Sequence, residues 1–156
     1  MSSTDDSTNI EKTKDSSPIL ELESSLTNSI SKKFSNIEIV YINPNRIRVN
    51  VKKEEIIDVA TFIRDELQFD HAESVSGVDY PEDKQIEVVY HLGSYTDPSL
   101  SKQILALATR APREDTPHPG NDNTKLPSLR DVFPSVSFHE RECFEMLGVY
   151  FDGHPD

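Results

Sequence analysis

The spacing of apolar residues predicts two amphipathic helices in the first half of the chain. The first helix starts at Pro18, with Ser17 as its N-cap, and its apolar side chains recur at helical spacing at Ile19, Leu22, Leu26, Ile30 and Phe34. The second follows Glu54 and Glu55, whose negative charge suits a helix N-terminus. Its apolar stripe consists of Ile56, Val59, Ala60, Ile63 and Leu67.

A second pattern, in which apolar and polar residues alternate, predicts two β-hairpins. An apolar run at 37–42 and an alternating run at 47–51 flank the turn signal Asn43-Pro44-Asn45. A clean alternation at 86–92 follows a short turn, which separates it from a weaker strand at 72–80. Each hairpin contributes two antiparallel strands to the predicted sheet.

These elements predict an α+β fold, with a mixed, mainly antiparallel sheet of about five strands covered on one face by two main helices, plus short C-terminal helices. Residues 103–109 fit both strand and helix patterns, and we assign them to a strand. Prolines and polar residues at 111–127 predict a long surface loop. Residues 1–16 contain almost no apolar side chains and are predicted to form a disordered acidic and polar tail, which leaves 17–156 as one domain.

The segment from Ser128 onward contains local signals for the start of a further helix. Ser137 and Glu140 have the S-x-x-E spacing of a capping box, in which each side chain bonds the backbone N–H of the other residue. Ser128 and Asp131 resemble such a box more loosely. We therefore expect a helix over residues 138–147.

The end of this helix and its two faces are predicted from the same segment. Gly148 is expected in the left-handed conformation, with Val149 packing back on Phe144 as in a Schellman ending. The apolar face is predicted to contain Cys143, Met146 and Leu147, with Phe144 beside them, and the solvated remainder to contain Glu140, Arg141, Glu142 and Glu145. An exposed ion pair such as Arg141–Glu145 contributes only about 0.3 to 0.5 kcal/mol.

Charge and cysteine content narrow the range of functions. The formal net charge of -12 would repel phosphate backbones, so nucleic acid is not an expected partner. No apolar run approaches the ~20 residues of a spanning helix, so we expect membrane contact only through partners. Cys143 is the only cysteine, which excludes an internal disulfide and an iron–sulfur cluster ligated by cysteines of this chain alone.

Candidate chemistry is sparse in this sequence. The five glycines are too scattered to form a nucleotide-binding loop. His139 and Cys143 have the spacing of two ligands on one helix, but two ligands are too few for a closed zinc site. Cys143 could act as the nucleophile of a thiol hydrolase, yet its place on an apolar helix face favours an inert core thiol. We predict no catalytic residue, metal site or bound cofactor in this chain.

One long motif resembles a known family. The segment from 140 to 154 begins with Glu140-Arg141-Glu142 and continues with two residues, Glu145, two apolar residues, six further residues and His154. This spacing resembles the signature of the thirty-kilodalton subunit family of respiratory complex I. The same family is also known as the C subunit of NADH-quinone oxidoreductase and has archaeal and chloroplast relatives. The ending Phe151 to Asp156 is similar to the F-x-G-H-P-D ending of the family. Weaker similarities lie at Leu126 to Leu129, Val132 to Pro134 and His91-Leu92.

The resemblance implies a non-catalytic structural subunit in the peripheral arm of a complex I type quinone oxidoreductase, on the cytoplasmic side of the cell membrane. Its partners would be the quinone-site subunit, of the forty-nine-kilodalton type, and the iron–sulfur subunits. Quinone, iron–sulfur clusters and the electron-donor cofactor would be bound by those partners, with NADH, F420H2 and ferredoxin open as donors. The implied interface and signature residues are Glu140, Arg141, Glu142, Glu145, Met146, Leu147, Gly148, Phe151, Gly153, His154, Pro155 and Asp156.

The sequence departs from the family pattern in two respects. Phe133 and Phe138 stand where the family usually has tryptophan, which keeps the apolar bulk but removes the indole N–H donor. The family also continues past His-Pro-Asp with leucine and basic residues, which lie beyond Asp156, so part of the usual C-terminal contact segment is not in this sequence. A free acidic adaptor domain, no longer part of the complex, is therefore the alternative function.

Overall fold

The computed structural model describes residues 18–113 and 124–155. The predictions for the tail at 1–16, the cap at Ser17 and the interface role of Asp156 fall outside these residues. In chain order the elements are α1 (Pro18–Lys33), β1 (Glu38–Asn43), β2 (Arg46–Asn50), α2 (Ile56–Asp65), β3 (His71–Tyr80), β4 (Gln85–Gly93), β5 (Ile104–Pro112), β6 (Lys125–Pro127), α3 (Val136–Leu147) and β7 (Tyr150–Asp152). A single 3₁₀ turn, Pro98–Leu100, precedes β5.

Strands β1 to β5 form one sheet in the order β1-β2-β5-β4-β3. Strands β1 and β2 are antiparallel, as are β3 and β4, so both predicted hairpins are confirmed. Strand β5 lies between the hairpins, parallel to β2 and antiparallel to β4, which confirms the mixed sheet and the strand assignment of residues 104–109. Gln103, the first residue of the predicted range, precedes the strand. The α+β prediction is therefore correct.

The two faces of this sheet differ in what covers them. Buried side chains of α1, α2 and α3 join Ile47, Val49, Tyr90, Leu105 and Leu107 in one apolar core on the covered face. On the opposite face a second, small cluster contains only sheet residues, Val89, Ala106 and Ala108. We call this the open face, and its central side chains are those of Arg46, Arg48, Asn50, Glu87, Val89, His91, Ala106, Ala108 and Arg110.

The ends of the predicted loop at 111–127 are in fact strands. Strand β5 continues to Pro112, where a strand can end because proline lacks the N–H that a further ladder bond needs. Lys125–Pro127 forms β6, which pairs in parallel with β7 about 25 residues later. The local pattern does not reveal β6, because its partner strand is distant in sequence and supplies the hydrogen bonds.

A glycine on β3 allows α3 to approach the sheet closely. A Cβ atom on Gly77 would overlap Cδ1 of Leu147 and would lie 3.6 Å from Sγ of Cys143. The absent side chain therefore creates the space into which α3 packs. Only one α-helix, α3, follows β6 in the described residues, whereas the sequence pattern predicted several short ones.

Candidate functional site

Helix α3 contains most of the signature residues, and its orientation differs from the prediction. Its inner face consists of Val136, Glu140, Cys143 and Leu147, at helical spacing over three turns. Met146 and Phe144, which we expected on or beside the apolar face, are 82% and 46% exposed. Glu140, which we expected in solvent, is fully buried. The prediction was wrong because it placed every charged residue of the helix in solvent. In the structure, hydrogen bonds from buried donors pair with the Glu140 carboxylate inside the domain.

The Glu140 carboxylate is held by three donors from two other parts of the chain, strand β4 and the segment after β6. Its Oε1 atom accepts hydrogen bonds from the Tyr90 hydroxyl on β4, at 2.9 Å, and from the Leu129 backbone N–H, at 2.8 Å. Its Oε2 atom accepts a hydrogen bond from the Ser128 hydroxyl at 2.6 Å. A buried carboxylate is tolerated only when its oxygens are paired in this way. Glu140 therefore joins α3, the central sheet and the segment after β6.

Neither predicted capping box forms. The α3 N-cap position belongs to Ser135, whose hydroxyl donates to the Ala72 carbonyl instead of capping the helix. The Ser137 hydroxyl lies 3.3 Å from Nε2 of His154. Ser128 accepts a hydrogen bond from the Arg130 N–H, but its hydroxyl donates to Glu140 and not to Asp131. The S-x-x-E spacing was misleading because the tertiary partners of Glu140 replaced the local one.

Burial governs the titration of the side chains that surround Glu140. Desolvation, and then the neighbouring Glu140 charge, raise the pKa of Tyr90 well above its ordinary value, so Tyr90 remains a donor. Burial, followed by Glu140, raises the pKa of Cys143 to about 11. A nucleophilic cysteine has a lowered pKa and an accessible sulfur, whereas Cys143 is buried with a raised pKa. Its environment is that of a core thiol.

The outward side of α3 presents exposed apolar side chains beside charged ones. Phe138, Glu142 and Met146 are spaced four residues apart and so lie on one side of the helix, which we call the outer stripe. Phe138 is 66% exposed. The predicted ion pair of Arg141 with Glu145 forms at 3.4 Å on the adjacent surface, with both side chains more than half exposed.

Gly148 ends α3 as predicted, although by a simpler hydrogen-bond pattern. Its φ of 74° is in the left-handed region, and its N–H donates to the Phe144 carbonyl at 3.0 Å. This single bond is typical of an αL ending and not of a Schellman ending. Val149 is fully buried and Phe144 is 46% exposed. The packing of these two side chains on each other stays a prediction.

The segment after Gly148 folds back on the domain. Phe151 on β7 is buried opposite Leu126 on β6, so its side chain is not presented to a partner as we had expected. Gly153 has a φ of 88°, and Nε2 of His154 lies 2.9 Å from the Ser137 carbonyl oxygen. A cavity of about 160 Å³ opens between this segment and α3, lined by Glu140, Arg141, Phe144, Tyr150, Phe151, His154 and Pro155.

We expect Gly148→Ala to lower the free energy of unfolding by about 1 to 2 kcal/mol, because an L side chain strains a backbone with positive φ. Apart from Gly148 itself and its two chain neighbours, no atom of the described residues lies within 4 Å of the added Cβ, so the cost is conformational and not steric. Urea unfolding would measure it. Gly148→Asn is the control, since asparagine tolerates this conformation and should lose less. Equal stability of the wild type and the Ala variant would contradict the prediction.

The described residues contain neither a group of metal ligands nor a membrane-spanning helix. Within 18–113 and 124–155, no group of three or more His, Cys, Asp or Glu side chains could bind a metal ion. In the same part of the chain, no helix is both long and apolar enough to cross a membrane. The absence of a bound cofactor stays a prediction.

Comparison with known proteins identifies the family. The sequence profile described as respiratory-chain NADH dehydrogenase, 30 Kd subunit, matches residues 49–156. The C subunit of the F(420)H(2) dehydrogenase of Methanosarcina mazei is 38% identical over 73% of this chain and 65% of its own length. The C subunit of the NADH-quinone oxidoreductase of Nocardia farcinica is 34% identical over 86% of this chain and 50% of its own length. The chain thus spans about half to two thirds of these relatives.

Solved structures agree with this match. A chain of the membrane-bound sulfane sulfur reductase, an archaeal respiratory membrane complex, superposes with a TM-score of 0.71 at 25% identity, covering 84% of this chain and 71% of that one. A trypsin-resistant fragment of Nqo5 superposes with a TM-score of 0.64 at 25% identity, covering 86% of this chain and 98% of the fragment. From its profile match, its relatives and its fold, this chain belongs to the 30 Kd subunit family of the respiratory-chain NADH dehydrogenase.

Proposed function

We propose that this chain is a non-catalytic structural subunit of a complex I type quinone oxidoreductase. It would lie in the peripheral arm, on the cytoplasmic side of the cell membrane, and help to assemble the quinone-site subunit with the iron–sulfur subunits. Electrons would pass from NADH, F420H2 or ferredoxin to quinone through cofactors on those partners. Family membership supports this role, as do the relatives whose names describe subunits of such enzymes.

The observation that carries the proposal is an exposed apolar surface on a rigidly held helix. Phe138 and Met146 are exposed on the outer stripe, while on the opposite side of α3 Glu140 is bonded to the sheet and to the segment after β6. Large exposed apolar side chains on one helix are typical of an interaction surface. A helix fixed on its inner side offers such a surface without a large entropic cost on binding.

Arg141, Glu142 and Glu145 would form the polar part of the same interface. All three side chains are more than half exposed, and Glu142 lies 3.8 Å from Nδ1 of His139. Charged groups at the rim of an interface contribute mainly to the choice of partner and to the rate of association. Glu140 and Phe151 would support the interface from inside the domain, because both are buried in this chain.

We expect the double variant Phe138→Ser/Met146→Ser to lose its partners while keeping its fold. Both side chains are exposed, so the free energy of unfolding should change by no more than about 0.5 kcal/mol each. The recovery of quinone-site and iron–sulfur subunits with the tagged chain should fall at least about tenfold, as expected when interface anchors are removed. Affinity purification followed by mass spectrometry measures the recovery, and urea unfolding measures the stability.

The control is Ile57→Ser, which removes an exposed apolar side chain of α2 away from the outer stripe. This variant should recover partners like the wild type. If the wild-type chain recovers no quinone-site or iron–sulfur subunit, the proposal is wrong and the chain is an adaptor outside the complex. If the double variant binds as well as the wild type, the outer stripe is not the interface.

A further inference from the structure

An aromatic ring in the loop after β4 is stacked on one face and open on the other. Tyr95 lies between β4 and the 3₁₀ turn and is 83% exposed. One face of its ring is stacked on the imidazole of His71, at the start of β3, with the ring centroids 3.4 Å apart and the planes 6° from parallel. Because so much of the side chain is exposed, the other face of the ring is accessible to a partner.

A single carboxylate fixes both stacked rings. Asp70, directly before β3, accepts hydrogen bonds from the backbone N–H groups of Tyr95 and Thr96, at 2.9 and 3.1 Å, and from the Thr96 hydroxyl at 2.6 Å. Its Oδ1 atom also lies 3.0 Å from Nδ1 of His71. Burial acts to raise the pKa of Asp70, but the hydrogen bonds from Thr96, His71 and the loop outweigh it and hold this pKa well below its ordinary value. Asp70 is therefore charged at neutral pH and keeps Tyr95 in a fixed position.

Three carboxylates lie in or beside this loop, and none of them is paired with a lysine or arginine of the described residues. Oε1 of Glu73 lies 3.6 Å from Nε2 of His71, and the Glu73 side chain is 48% exposed. Asp97 caps the 3₁₀ turn. Among the residues that the structure describes, no lysine or arginine side chain forms an ion pair with Asp70, Glu73 or Asp97. Their charges are therefore available to a cation from outside this chain.

Two cationic side chains lie at the other side of this end of the sheet. Arg46 is the first residue of β2 and donates to the carbonyl of Lys102, which lies two residues before β5. Strands β5 and β4 separate β2 from β3. On the open face His91 lies between the two groups: burial and then Arg48 lower its pKa, Glu73 raises it and Arg46 lowers it. The charges are therefore segregated, with carboxylates beside β3 and cations beside β2 and β5.

A guanidinium group matches this arrangement of ring and carboxylates. It is planar and stacks on the face of an aromatic ring, while its N–H groups donate to a carboxylate. Tyr95 offers the free ring face, and Glu73 offers a half-exposed carboxylate beside the same stack. An ammonium group has the charge but no planar surface, so lysine matches less well. Because Asp70 already fixes the loop, little conformational freedom is lost on binding.

The start of α3 lies close to this ring. The hydroxyl of Ser135, the N-cap residue of α3, donates to the carbonyl of Ala72, which follows His71 in β3. Phe138, the first residue of the outer stripe, lies three residues after Ser135. A partner that covers the outer stripe can therefore also reach Tyr95.

We propose that Tyr95 and Glu73 bind an arginine side chain of a neighbouring subunit. We call these two residues, with His71 and Asp70 behind them, the Tyr95 platform. The identity of the occupant as a subunit rests on the proposed function. The preference for arginine does not, because it follows from the free ring face and the unpaired carboxylates of this chain.

The first test uses the full-length chain without partners, with hexaarginine and hexalysine as probes. Amide NMR shifts of Gly93, Ser94 and Thr96 should saturate at a lower concentration of hexaarginine than of hexalysine, because only arginine stacks on the ring. Tyr95→Ala should weaken the binding of hexaarginine at these amides about threefold and remove its advantage over hexalysine. Glu73→Gln should also weaken it about threefold, through the loss of one ion pair.

Tyr41→Ala and Glu82→Gln are the matched controls. Tyr41 is an exposed tyrosine of β1, and Glu82 is an exposed carboxylate in the turn at the other end of β3. Both variants should bind hexaarginine at the platform like the wild type. They separate the platform from the general attraction of a polycation to a chain of formal net charge -12. Equal affinities of the wild type for the two peptides, or an unchanged affinity after Tyr95→Ala, would overturn the inference.

The second test uses the complex purified from cells with the photoreactive variant Tyr95→p-benzoylphenylalanine. This residue keeps an aromatic ring at the platform and joins covalently to a neighbouring C–H bond on illumination. The expected result is a cross-link from position 95 to another subunit, at a residue next to an arginine. Cross-links only within its own chain, or to a segment without arginine, contradict the assignment. If hexaarginine is preferred but the chain recovers no other subunit, the proposed function fails and the Tyr95 platform stands.

Discussion

Replacing Glu140 with leucine is expected to lower the free energy of unfolding by about 2 to 6 kcal/mol, because two buried donors would each lose an acceptor at a cost of about 1 to 3 kcal/mol. Those donors are the Tyr90 hydroxyl and the Leu129 N–H. The Ser128 hydroxyl, which is only partly buried, loses its acceptor as well. Urea or guanidinium unfolding of the purified chain, followed by circular dichroism, would measure the loss.

Glu145→Leu is the matched control, because it makes the same chemical change on the exposed side of the same helix. It should cost no more than about 0.5 kcal/mol. If Glu140→Leu does not fold, the free energy of unfolding is measured on Glu140→Gln instead. Its amide oxygen can still accept hydrogen bonds from Tyr90 and Leu129. We expect the Gln variant to keep its partners in affinity purification. A Glu140→Leu variant as stable as Glu145→Leu would disprove the role we assign to Glu140.

The charged residues of the signature lie in two different environments. The adjacent residues Glu140, Arg141 and Glu142 are all charged, yet the first is buried and the other two are on the surface. Glu140 connects α3 to the sheet, so its loss should act on assembly only through the fold. Arg141 and Glu142 are available to a partner, so their loss should act on assembly directly. Under the proposed function, the motif would therefore combine a residue that the fold requires with residues that contact a partner.

The sequence predicted the elements whose signals are local. The helical stripes of α1 and α2 and the alternation in β2 and β4 depend on neighbouring residues alone, and each element formed where it was predicted. Pro18 correctly predicted the first residue of α1, because proline restricts the backbone to a conformation that suits a helix start. Gly148 correctly predicted the end of α3, because glycine adopts positive φ without strain. Backbone chemistry of this kind needs no tertiary partner.

The features that the sequence did not predict depend on distant partners. Glu140 is buried because Tyr90 and Leu129, 50 and 11 residues away in sequence, provide its hydrogen bonds. The Glu87 pairs with Arg48 and Arg110 join residues 39 and 23 positions apart. In the sequence these carboxylates look the same as solvated ones. A buried carboxylate differs from a solvated one in having hydrogen-bond donors close to it in the folded chain, and a single sequence does not show which donors those are.

Phe151→Ala is expected to cost about 3 to 5 kcal/mol, the range for removing a buried phenylalanine side chain. Phe151 is 4% exposed and lies opposite Leu126 in the short ladder of β6 and β7. The hydrogen bonds of Tyr150 N–H to Thr124 and of Ser128 N–H to Asp152 flank this pair. Hydrogen exchange at these two amides should accelerate strongly in the variant, and urea unfolding would give the total loss.

The control for this prediction is Phe138→Ala, which removes the same side chain from an exposed position on α3. We expect it to change stability by no more than about 0.5 kcal/mol and to leave exchange at Tyr150 and Ser128 unchanged. The two variants should therefore affect different measurements. Phe138→Ala should lower partner recovery without lowering stability, whereas Phe151→Ala should lower the stability of the fold itself. Equal stability of the two variants would mean that the C-terminal segment does not depend on Phe151 for its attachment to the domain.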